Sequence, residues 1–474
     1  MISLDKQYET QRDRMSSAGH DEVFRFWDQL DDDARRRLLD QIERIDIELI
    51  GRLCKTLLDE TKQPLSLDRI KPVENVVQLP KTESQRRERR EAEQIGGRII
   101  DDGKVAVVTV AGGQGTRLGF DGPKGSFPIG PVTDRSLFEY YAFHLRAISD
   151  RRGTSIPWYI MTSTNYAATV EFFRAHSWFG LDEHDIIFFV QETLPAVSPS
   201  GELILDRPDH IFESPNGHGG TFRALDQSGA LDDMRRRGIE YISYFQVDNP
   251  LVLVADPAFI GYHVMFGAQM SGKTLRKCSW DESMGMFCVI DGRLRIIEYT
   301  EMPESLARKT DSDGNLVFWT GNPATHIISV EFAEKICSRA HTLPYHRARK
   351  KIPYLDDNGN PVVPTEPNGF KFECFIFDAL AETDHTMLME IDRATEYSPV
   401  KNATGRASVS ESRQAVSNLF GSWLESAGID VPRRPDTGDV DGRIEISPLF
   451  AASREEFVAK VDRDTVFSDP MLFE

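Results

Sequence analysis

The sequence has little that would suit a disulfide framework, a membrane protein or a nucleic-acid-binding protein. Its five cysteines are scattered and form no CxxC pair, which argues against a zinc site and against a set of disulfides. No apolar run is long enough to cross a membrane, and residues 1–11 lack the apolar centre of a signal peptide. The formal net charge of −19 disfavours a protein that coats nucleic acid. We therefore expect a cytoplasmic protein that binds neither nucleic acid nor a membrane.

Motifs for covalent catalysis are also missing. The sequence contains no GxSxG, and no other pattern indicates a nucleophile. His341 and His346 have no acid and no second ligand nearby at metal-binding spacing, so we predict structural roles for both. Chemistry that depends on charge and positioning fits this sequence better than chemistry that depends on a covalent intermediate.

The order of apolar segments predicts an α/β fold. The chain of 474 residues is long enough for two or three domains. Strand-like runs occur at 105–110, 156–161, 186–190 and 241–247, with helical patterns such as 137–145 and 167–173 between them. Such alternation predicts a largely parallel sheet, whose ligands bind beyond the carboxyl ends of the strands. The residues at those ends are the glycine-rich loop after residue 110, Thr162-Ser163, Gln191 and Asp248-Asn249.

The first 75 residues have the periodicity of helices. Between Asp31 and Ile50, apolar residues fall on one helical face, and Asp31 is suited to be the N-cap. Alternating Arg and Glu residues fill the segment 82–93. We predict that this segment is a solvated helix with ion pairs rather than an anion-binding face.

A glycine-rich loop follows the first predicted strand. The strand 105–110 continues directly into 111–119 (AGGQGTRLG), and Pro123-Lys124-Gly125 comes shortly afterwards. Glycines let backbone N–H groups approach an anion, and Arg117 and Lys124 supply positive charge. This combination predicts a site for the phosphates of a nucleotide.

Two related phosphate-binding motifs do not fit this loop. The dinucleotide fingerprint needs a third glycine where Leu118 stands, and a Walker loop needs Lys-Ser/Thr where Thr116-Arg117 stand. The segment 267–274 (GAQMSGKT) does match the Walker pattern. However, Asp256-Pro257 is typical of a helix start, so these glycines should end a helix and precede an extended segment. The Walker alternative predicts ATP hydrolysis that depends on Lys273.

Five further positions have a functional and an ordinary interpretation each. Asp248 could bind a divalent cation, or it could simply cap a turn. The turn around Gly217 could bring its backbone close to a ligand, or it could be an ordinary surface turn. Gln191 could form hydrogen bonds with the edge of a nucleotide base. The segment 298–301 (EYTE) could form hydrogen bonds with sugar hydroxyls. Both could equally be exposed residues without a ligand. Lys401 either pairs with a phosphate or is a surface charge. The sequence leaves these alternatives open.

Many short segments of the chain match, in order, the motifs of one protein family. They are 112–119 with 123–125, 172–173, 179–181, Gln191 with 194–196, 247–249, 255–257 with 259–261, 298–301, 321–322 with His326, 350–354, 367–369, 398–399 with 401–403, and 445–449. These segments resemble the UDP-sugar pyrophosphorylases, and most of all the eukaryotic-type UDP-N-acetylhexosamine (UDP-N-acetylglucosamine) pyrophosphorylases. The resemblance extends over roughly residues 22–450 and is too ordered for coincidence.

The resemblance implies a Rossmann-like nucleotidyltransferase domain with a mixed, mostly parallel sheet at residues 99–396. An N-terminal helical segment at 1–98 and a small C-terminal domain at 397–474 complete the expected organisation. The implied reaction converts UTP and N-acetylglucosamine 1-phosphate to UDP-N-acetylglucosamine and pyrophosphate with Mg²⁺. Glucose 1-phosphate, or a broad range of sugar 1-phosphates, is the alternative substrate. A nucleotide-sugar sensor without turnover is the alternative from another class.

The resemblance also implies roles for individual residues. The nucleotide-binding positions are Gly112, Gly113, Gln114 and Gly115, with Gln191 and Gly217 at the uracil. Arg117 and Lys124 would neutralise the triphosphate, Lys401 the reacting phosphates, and Asp248 would bind the metal. The sugar-binding positions are His218, Glu298, Tyr299, Asn322, Phe375 and Phe377. His218 departs from the family pattern, because the N-acetylhexosamine enzymes usually have Asn there, and Gly-His-Gly is similar to the UDP-glucose and broad-range enzymes.

Overall fold

The computed structural model describes residues 3–58, 67–338 and 343–474, and His341 lies outside them. Contacts divide the chain into two compact units. The first unit consists of Met1–Leu65, Gln191–Gly220 and His341–Asp378, and the second of Ser66–Val190, Thr221–Ala340 and Ala379–Glu474. The predicted domain limits near residues 98 and 396 stay a prediction.

The α helices are distributed over the whole chain. Their bounds are α1 Leu4–Ala18, α2 Asp32–Arg44, α3 Ile47–Leu57, α4 Glu83–Asp101, α5 Leu137–Arg152, α6 Tyr166–Ala175, α7 Thr221–Gln227, α8 Ala230–Arg236, α9 Pro257–Met265, α10 Glu304–Ala307, α11 Val330–Cys337, α12 Arg393–Glu396, α13 Val409–Ser426 and α14 Arg454–Lys460. Short 3-10 helices occupy Asp21–Phe24, Trp27–Gln29, Leu67–Arg69, Thr116–Leu118, Lys124–Ser126, Ser177–Gly180, Glu183–Asp185, His218–Gly220 and Ile376–Glu382.

The strands begin after the N-terminal helices. Their bounds are β1 Ile70–Lys71, β2 Val105–Val110, β3 Trp158–Thr162, β4 Ile186–Val190, β5 Thr193–Pro195, β6 Leu205–Arg207, β7 His210–Ile211, β8 Glu213–Pro215, β9 Tyr241–Gln246, β10 Met270–Arg276, β11 Met286–Ile290, β12 Arg293–Ile297, β13 Thr320–Gly321, β14 His326–Ser329, β15 Tyr345–Lys350, β16 Tyr354–Leu355, β17 Pro361–Val362, β18 Gly369–Cys374, β19 Thr386–Glu390, β20 Ile444–Ile446 and β21 Met471–Phe473.

The N-terminal helices belong to the core of the first unit. Asp31 is the N-cap of α2, as predicted, and accepts a hydrogen bond from the Ala34 N–H at 2.8 Å. The helical stretch predicted from Asp31 to Ile50 is nevertheless interrupted, because Asp46 caps a new helix, α3. The apolar faces of α2 and α3 pack with residues from β5 to β7 and from β16 and β18 in one core.

The second unit is built on an eleven-stranded mixed sheet. Its order is β1-β11-β13-β10-β14-β9-β2-β3-β4, with β12 on β11 and β19 on β10. The four strands predicted from sequence are β2, β3, β4 and β9, and they pair in parallel, as do β10 and β19. The remaining six pairings in the described sheet are antiparallel. The mixed sheet is confirmed, but its parallel share is smaller than predicted, because the strands after β9 include the antiparallel pair β11–β12, joined by a short turn rather than by a crossover helix.

The prediction for residues 82–93 is confirmed in the second unit. The Arg/Glu-rich segment forms the start of α4, where Glu83 pairs with Arg86 and Arg90, and Arg89 pairs with Glu93. These ion pairs lie on the helix surface and agree with an ion-paired helix rather than an anion-binding face. Among the residues that the structure describes, no helix has the length and apolarity needed to cross a membrane.

Candidate active site

The loop after β2 is fixed by the end of the neighbouring strand β3. The Ser163 hydroxyl donates to the Gly112 carbonyl oxygen at 2.5 Å, and the Asn165 amide donates to the Ala111 carbonyl oxygen at 2.8 Å. The loop also closes on the segment that follows it, because the Lys124 N–H donates to the Gly113 carbonyl oxygen at 3.0 Å. The sequence predicted Ser163 at this edge of the sheet but did not predict Asn165. The only feature of the sequence that could have indicated Asn165 is that a short amide side chain closely follows a predicted strand.

The glycines of the loop are required for different reasons. A Cβ on Gly115 would lie 2.7 Å from the Phe120 ring, and a Cβ on Gly112 would lie 3.0 Å from Ser163. Nothing lies within 4 Å of a Cβ on Gly113. Packing therefore explains Gly112 and Gly115, whereas Gly113 exposes its backbone to open space. Gln114 forms an antiparallel bridge with Pro123 and so closes the loop.

Lys124 and Asp248 form the centre of a charged cluster beside this loop. The Lys124 ammonium lies 3.4 Å from an Asp248 carboxylate oxygen, and the two side chains are only 14% and 15% exposed. Burial lowers the pKa of Lys124; Asp248 opposes this, and the charges of Lys401 and Arg117 lower that pKa further. Burial alone would raise the pKa of Asp248, but Lys124 and Lys401 overcome it and lower that pKa. Three cations and one ionised carboxylate therefore act on one another at this place.

Backbone hydrogen bonds bring the Lys401 segment to the same edge of the sheet. The Val400 N–H donates to the Asp248 carbonyl oxygen at 2.8 Å, and the Ala403 N–H donates to the Arg117 carbonyl oxygen at 3.2 Å. The Asn249 side chain adds a third link by accepting a hydrogen bond from the Ser398 N–H at 3.0 Å. The sequence marked Asn249 only as a strand-end residue and gave no sign of this contact.

The predicted metal ligand Asp248 lies beside the glycine-rich loop and offers its carboxylate oxygens. Within residues 3–58, 67–338 and 343–474, no group of three or more His, Cys, Asp and Glu side chains could bind a metal ion. This donor set fits Mg²⁺, which in nucleotide sites commonly takes one or two carboxylates together with substrate phosphates and water. The ionised state of Asp248 meets the requirement for a hard oxygen ligand.

Two of the predicted sugar-binding residues meet at Gly285 in the second unit. A Cβ on Gly285 would lie 2.9 Å from a Glu298 carboxylate oxygen, and the Asn322 N–H donates to the Gly285 carbonyl oxygen at 2.9 Å. Tyr299 follows Glu298 and is 46% exposed. The turn after β12 and the residue after β13 are thus brought together, although they are distant in sequence.

Gln191 and Gly217 contact each other in the first unit. The Gln191 amide donates to the Gly217 carbonyl oxygen and, at 3.2 Å, to the Asn216 side-chain oxygen. Gly217 has a φ of +84°, and a Cβ there would lie 2.3 Å from the Cys374 carbonyl oxygen. Both the backbone conformation and the close approach of β18 therefore require glycine at this position.

His218 lies in a cluster of rings with Phe375 and Phe377. Its ring centroid is 5.3 Å from that of Phe375 and 5.5 Å from that of Phe377. The Ile376 N–H donates to His218 Nδ1 at 3.2 Å, which favours the tautomer with the proton on Nε2. The His346 ring is also part of this cluster, and its Nε2 lies 2.9 Å from an Asp378 carboxylate oxygen. His346 thus has an acidic partner that the spacing in sequence did not reveal.

The Walker interpretation of residues 267–274 is wrong. Asp256 caps α9 and Pro257 is its first residue, as predicted, and the glycine at 267 follows the end of that helix. Lys273 lies in the middle of β10, and its side chain is 1% exposed, so it is not placed on a phosphate-binding loop.

Residues 49–418 match the UTP–glucose-1-phosphate uridylyltransferase family. The chain belongs to this family. It is 35% identical over 472 residues to the human UDP-N-acetylhexosamine pyrophosphorylase-like protein 1, with 94% of this chain and 93% of that protein covered. It is 35% identical over 431 residues to the UDP-N-acetylglucosamine pyrophosphorylase of Saccharomyces cerevisiae, with 87% and 90% covered.

A solved structure agrees with this family assignment. The uridine diphosphate N-acetylglucosamine pyrophosphorylase from Trypanosoma brucei, in complex with an inhibitor, superposes with a TM-score of 0.82. It shares 27% identity, and the match covers 100% of this chain and 98% of that chain. The predicted UDP-sugar pyrophosphorylase family, the nucleotidyltransferase fold and the nucleotidyltransferase class of enzyme are confirmed. The roles of single residues in this uridylyltransferase are not tested by the comparisons and stay predictions.

Proposed function

We propose that this uridylyltransferase converts UTP and N-acetylglucosamine 1-phosphate to UDP-N-acetylglucosamine and pyrophosphate in the cytoplasm. The observation that supports it most directly is the charged cluster of Lys124, Arg117, Lys401 and Asp248 beside the glycine-rich loop. UTP and a sugar 1-phosphate are both multiply negatively charged, so they can meet only where their charge is neutralised. The names of the human and yeast relatives favour the N-acetyl sugar.

The proposed reaction is a direct displacement at phosphorus. An oxygen of the sugar phosphate attacks the α-phosphorus of UTP, a new P–O bond forms, and pyrophosphate leaves in line with its bond electrons. The attacking oxygen is already ionised, because a phosphate monoester has a second pKa of about 6. No general base is therefore required, and catalysis consists of positioning and electrostatic stabilisation.

The residues of the site divide this work among them. The backbone at Gly113 and the charge of Arg117 and Lys124 bind the triphosphate, while Lys401 stabilises the charge on the reacting phosphates. Mg²⁺, which Asp248 would bind together with the nucleotide, supplies further neutralisation of the phosphates. In this proposal, Gln191 and Gly217 contact the uracil. The residues that contact the sugar are His218, Glu298, Tyr299, Asn322, Phe375 and Phe377.

The test is pyrophosphate release by the purified protein with UTP, Mg²⁺ and one sugar 1-phosphate at a time. The panel contains the 1-phosphates of N-acetylglucosamine, N-acetylgalactosamine, glucose and galactose. We expect a strong preference for the N-acetyl sugars. Preference for glucose 1-phosphate would favour the alternative substrate, with His218 as the residue that specifies it. Binding of UTP or a UDP-sugar without pyrophosphate formation would favour the sensor.

A further inference from the structure

Three charged side chains of the second unit are buried together. The Lys273 ammonium lies 2.7 Å from an Asp256 carboxylate oxygen and 2.5 Å from a Glu396 carboxylate oxygen. The three side chains are 1%, 6% and 9% exposed. They come from three elements, since Asp256 caps α9, Lys273 lies in β10, and Glu396 ends α12. We call these residues the buried triad.

A series of hydrogen bonds holds the chain between Glu396 of the buried triad and Val400, the residue before Lys401. The Asn249 side chain donates to the Glu396 carbonyl oxygen at 2.7 Å and accepts from the Ser398 N–H at 3.0 Å. Two residues further on, the Val400 N–H donates to the Asp248 carbonyl oxygen. The chain from Glu396 to Lys401 is therefore bound at every second residue to Asp248 and Asn249, which follow β9, and the triad lies at the start of this chain.

Stability alone is a poor explanation for such a triad. Buried ion pairs lose so much hydration that apolar side chains of similar size often stabilise a fold equally well. Their better-attested contribution is to select one arrangement of the elements that they join. Here the arrangement that they select places α12, and with it the start of the Lys401 segment, against β10 and the loop before α9.

We propose that Lys273 is a positioning residue: by binding Asp256 and Glu396, it fixes the chain from Glu396 to Lys401 and thereby the Lys401 ammonium group. Lys273, which stands at the lysine position of the Walker-like segment, thus affects the phosphate chemistry indirectly, by positioning Lys401. This inference rests on the proposed function, in which Lys401 stabilises the reacting phosphates.

A double-mutant cycle between the triad and Lys401 tests this inference. The triad is neutralised as a whole in K273M/D256N/E396Q, which leaves no unpaired buried charge and keeps an N-cap side chain on α9. We expect kcat to fall roughly ten- to hundredfold, because small misplacements of a catalytic group have effects of this size. KM should change much less than kcat. In a Lys401→Ala background, the same three substitutions should lower kcat by less than about twofold, since coupled effects are not additive.

The matched control is Glu445→Gln. Glu445 is equally buried and accepts hydrogen bonds from the Thr133 N–H and hydroxyl. In the part of the chain that the structure describes, the hydrogen bonds and ion pairs of its side chain go to Val132, Thr133 and Arg135, not to the Lys401 segment. Its effect on kcat should be the same with and without Lys401. If the triple variant does not fold, Glu396→Gln alone replaces it in the cycle.

The possible failures are distinguishable. A wild-type protein that forms no pyrophosphate with any sugar 1-phosphate overturns the proposed function and this inference together. An active wild type in which the triad and Lys401 substitutions lower kcat by independent factors overturns the inference alone. Full activity of a folded triad variant likewise overturns the inference alone.

Discussion

Lys124 shows how burial and neighbouring charges set the protonation of one ammonium group. Its pKa lies below 10.5, because burial disfavours the charged form and Lys401 and Arg117 repel it, while Asp248 opposes both. Between this lowered pKa and 10.5, the unfolded chain binds more protons than the folded chain, so this group makes the fold more stable as pH rises.

The lowered pKa predicts an alkaline limit on activity. We expect kcat/KM, which reports groups of the free enzyme, to fall with an apparent pKa below 10.5 as Lys124 loses its charge. In Lys124→Arg, whose guanidinium stays charged, the residual activity should lose this limb or show it at higher pH. A pH–rate profile with the limb at the same pH in both proteins would assign it to another group.

Removal of the Lys124 charge should affect turnover more than folding. We expect Lys124→Ala to lower kcat by about a hundredfold, since one lost electrostatic donor in an active site accounts for about 3 kcal/mol. The Tm should change little, because burial already disfavours the charged form. Lys104→Ala is the matched control, as Lys104 forms an exposed ion pair with Glu240. A folded and almost fully active Lys124→Ala enzyme would refute the role given to this residue.

Asp248 is the predicted ligand of Mg²⁺, and its charge is the property to test. In Asp248→Asn, the shape of the side chain is kept and its charge is removed. We expect the Mg²⁺ concentration for half-maximal activity to rise by roughly tenfold or more, in line with the effect of altered metal surroundings. An identical Mg²⁺ titration for the variant and the wild type would show that Asp248 does not bind the metal.

At the scale of the elements, the loop after β2 contains glycines with two different requirements. Gly113 leaves room for a ligand, whereas Gly115 is required by packing against Phe120. We expect Gly113→Ala to keep the wild-type Tm, since its Cβ would meet nothing within 4 Å, but to lower kcat/KM by crowding the nucleotide. Gly115→Ala should instead lower the stability by about 1–3 kcal/mol, because its Cβ would press on Phe120. Thermal unfolding and steady-state kinetics of the two variants test this, and equal effects on Tm would contradict it.

At the scale of the whole molecule, the N-terminal helices belong to a core that uses distant parts of the chain. Ile42 is fully buried in it, and the neighbouring Gln41 side chain both donates to the Ile211 carbonyl oxygen and accepts from the Ile211 N–H. We expect Ile42→Ala to destabilise the first unit by about 2–5 kcal/mol. Hydrogen exchange should then increase in β5–β8, β15 and β18, while β2, β3 and β9 keep their protection. The exposed Asp40→Ala is the control, and uniform loss of protection over both units would contradict the prediction.

Local patterns in the sequence were sufficient for the strands of the parallel region and for the glycine-rich loop. β2 and β4 have the bounds of the predicted apolar runs. For β2 the reason is that a strand buried on both faces leaves an uninterrupted apolar signal. The interruption at Asp46 was not predicted, because an Asp in a helical pattern becomes a cap only when the packing of the next helix favours it.

The sequence by itself determined the α/β class, the family and the residue types of the site, because periodicity, glycine turns and ordered motifs are local properties of the chain. Only the tertiary structure decided which of these residues act on one another. Lys124 meets Asp248 across 124 residues, and Lys273 meets Glu396 across 123. Hydrogen-bond partners such as Asn165 and Asn249 likewise depend on which strands lie side by side. No local pattern encodes these contacts, because they arise from sheet order and from the exclusion of water around paired charges.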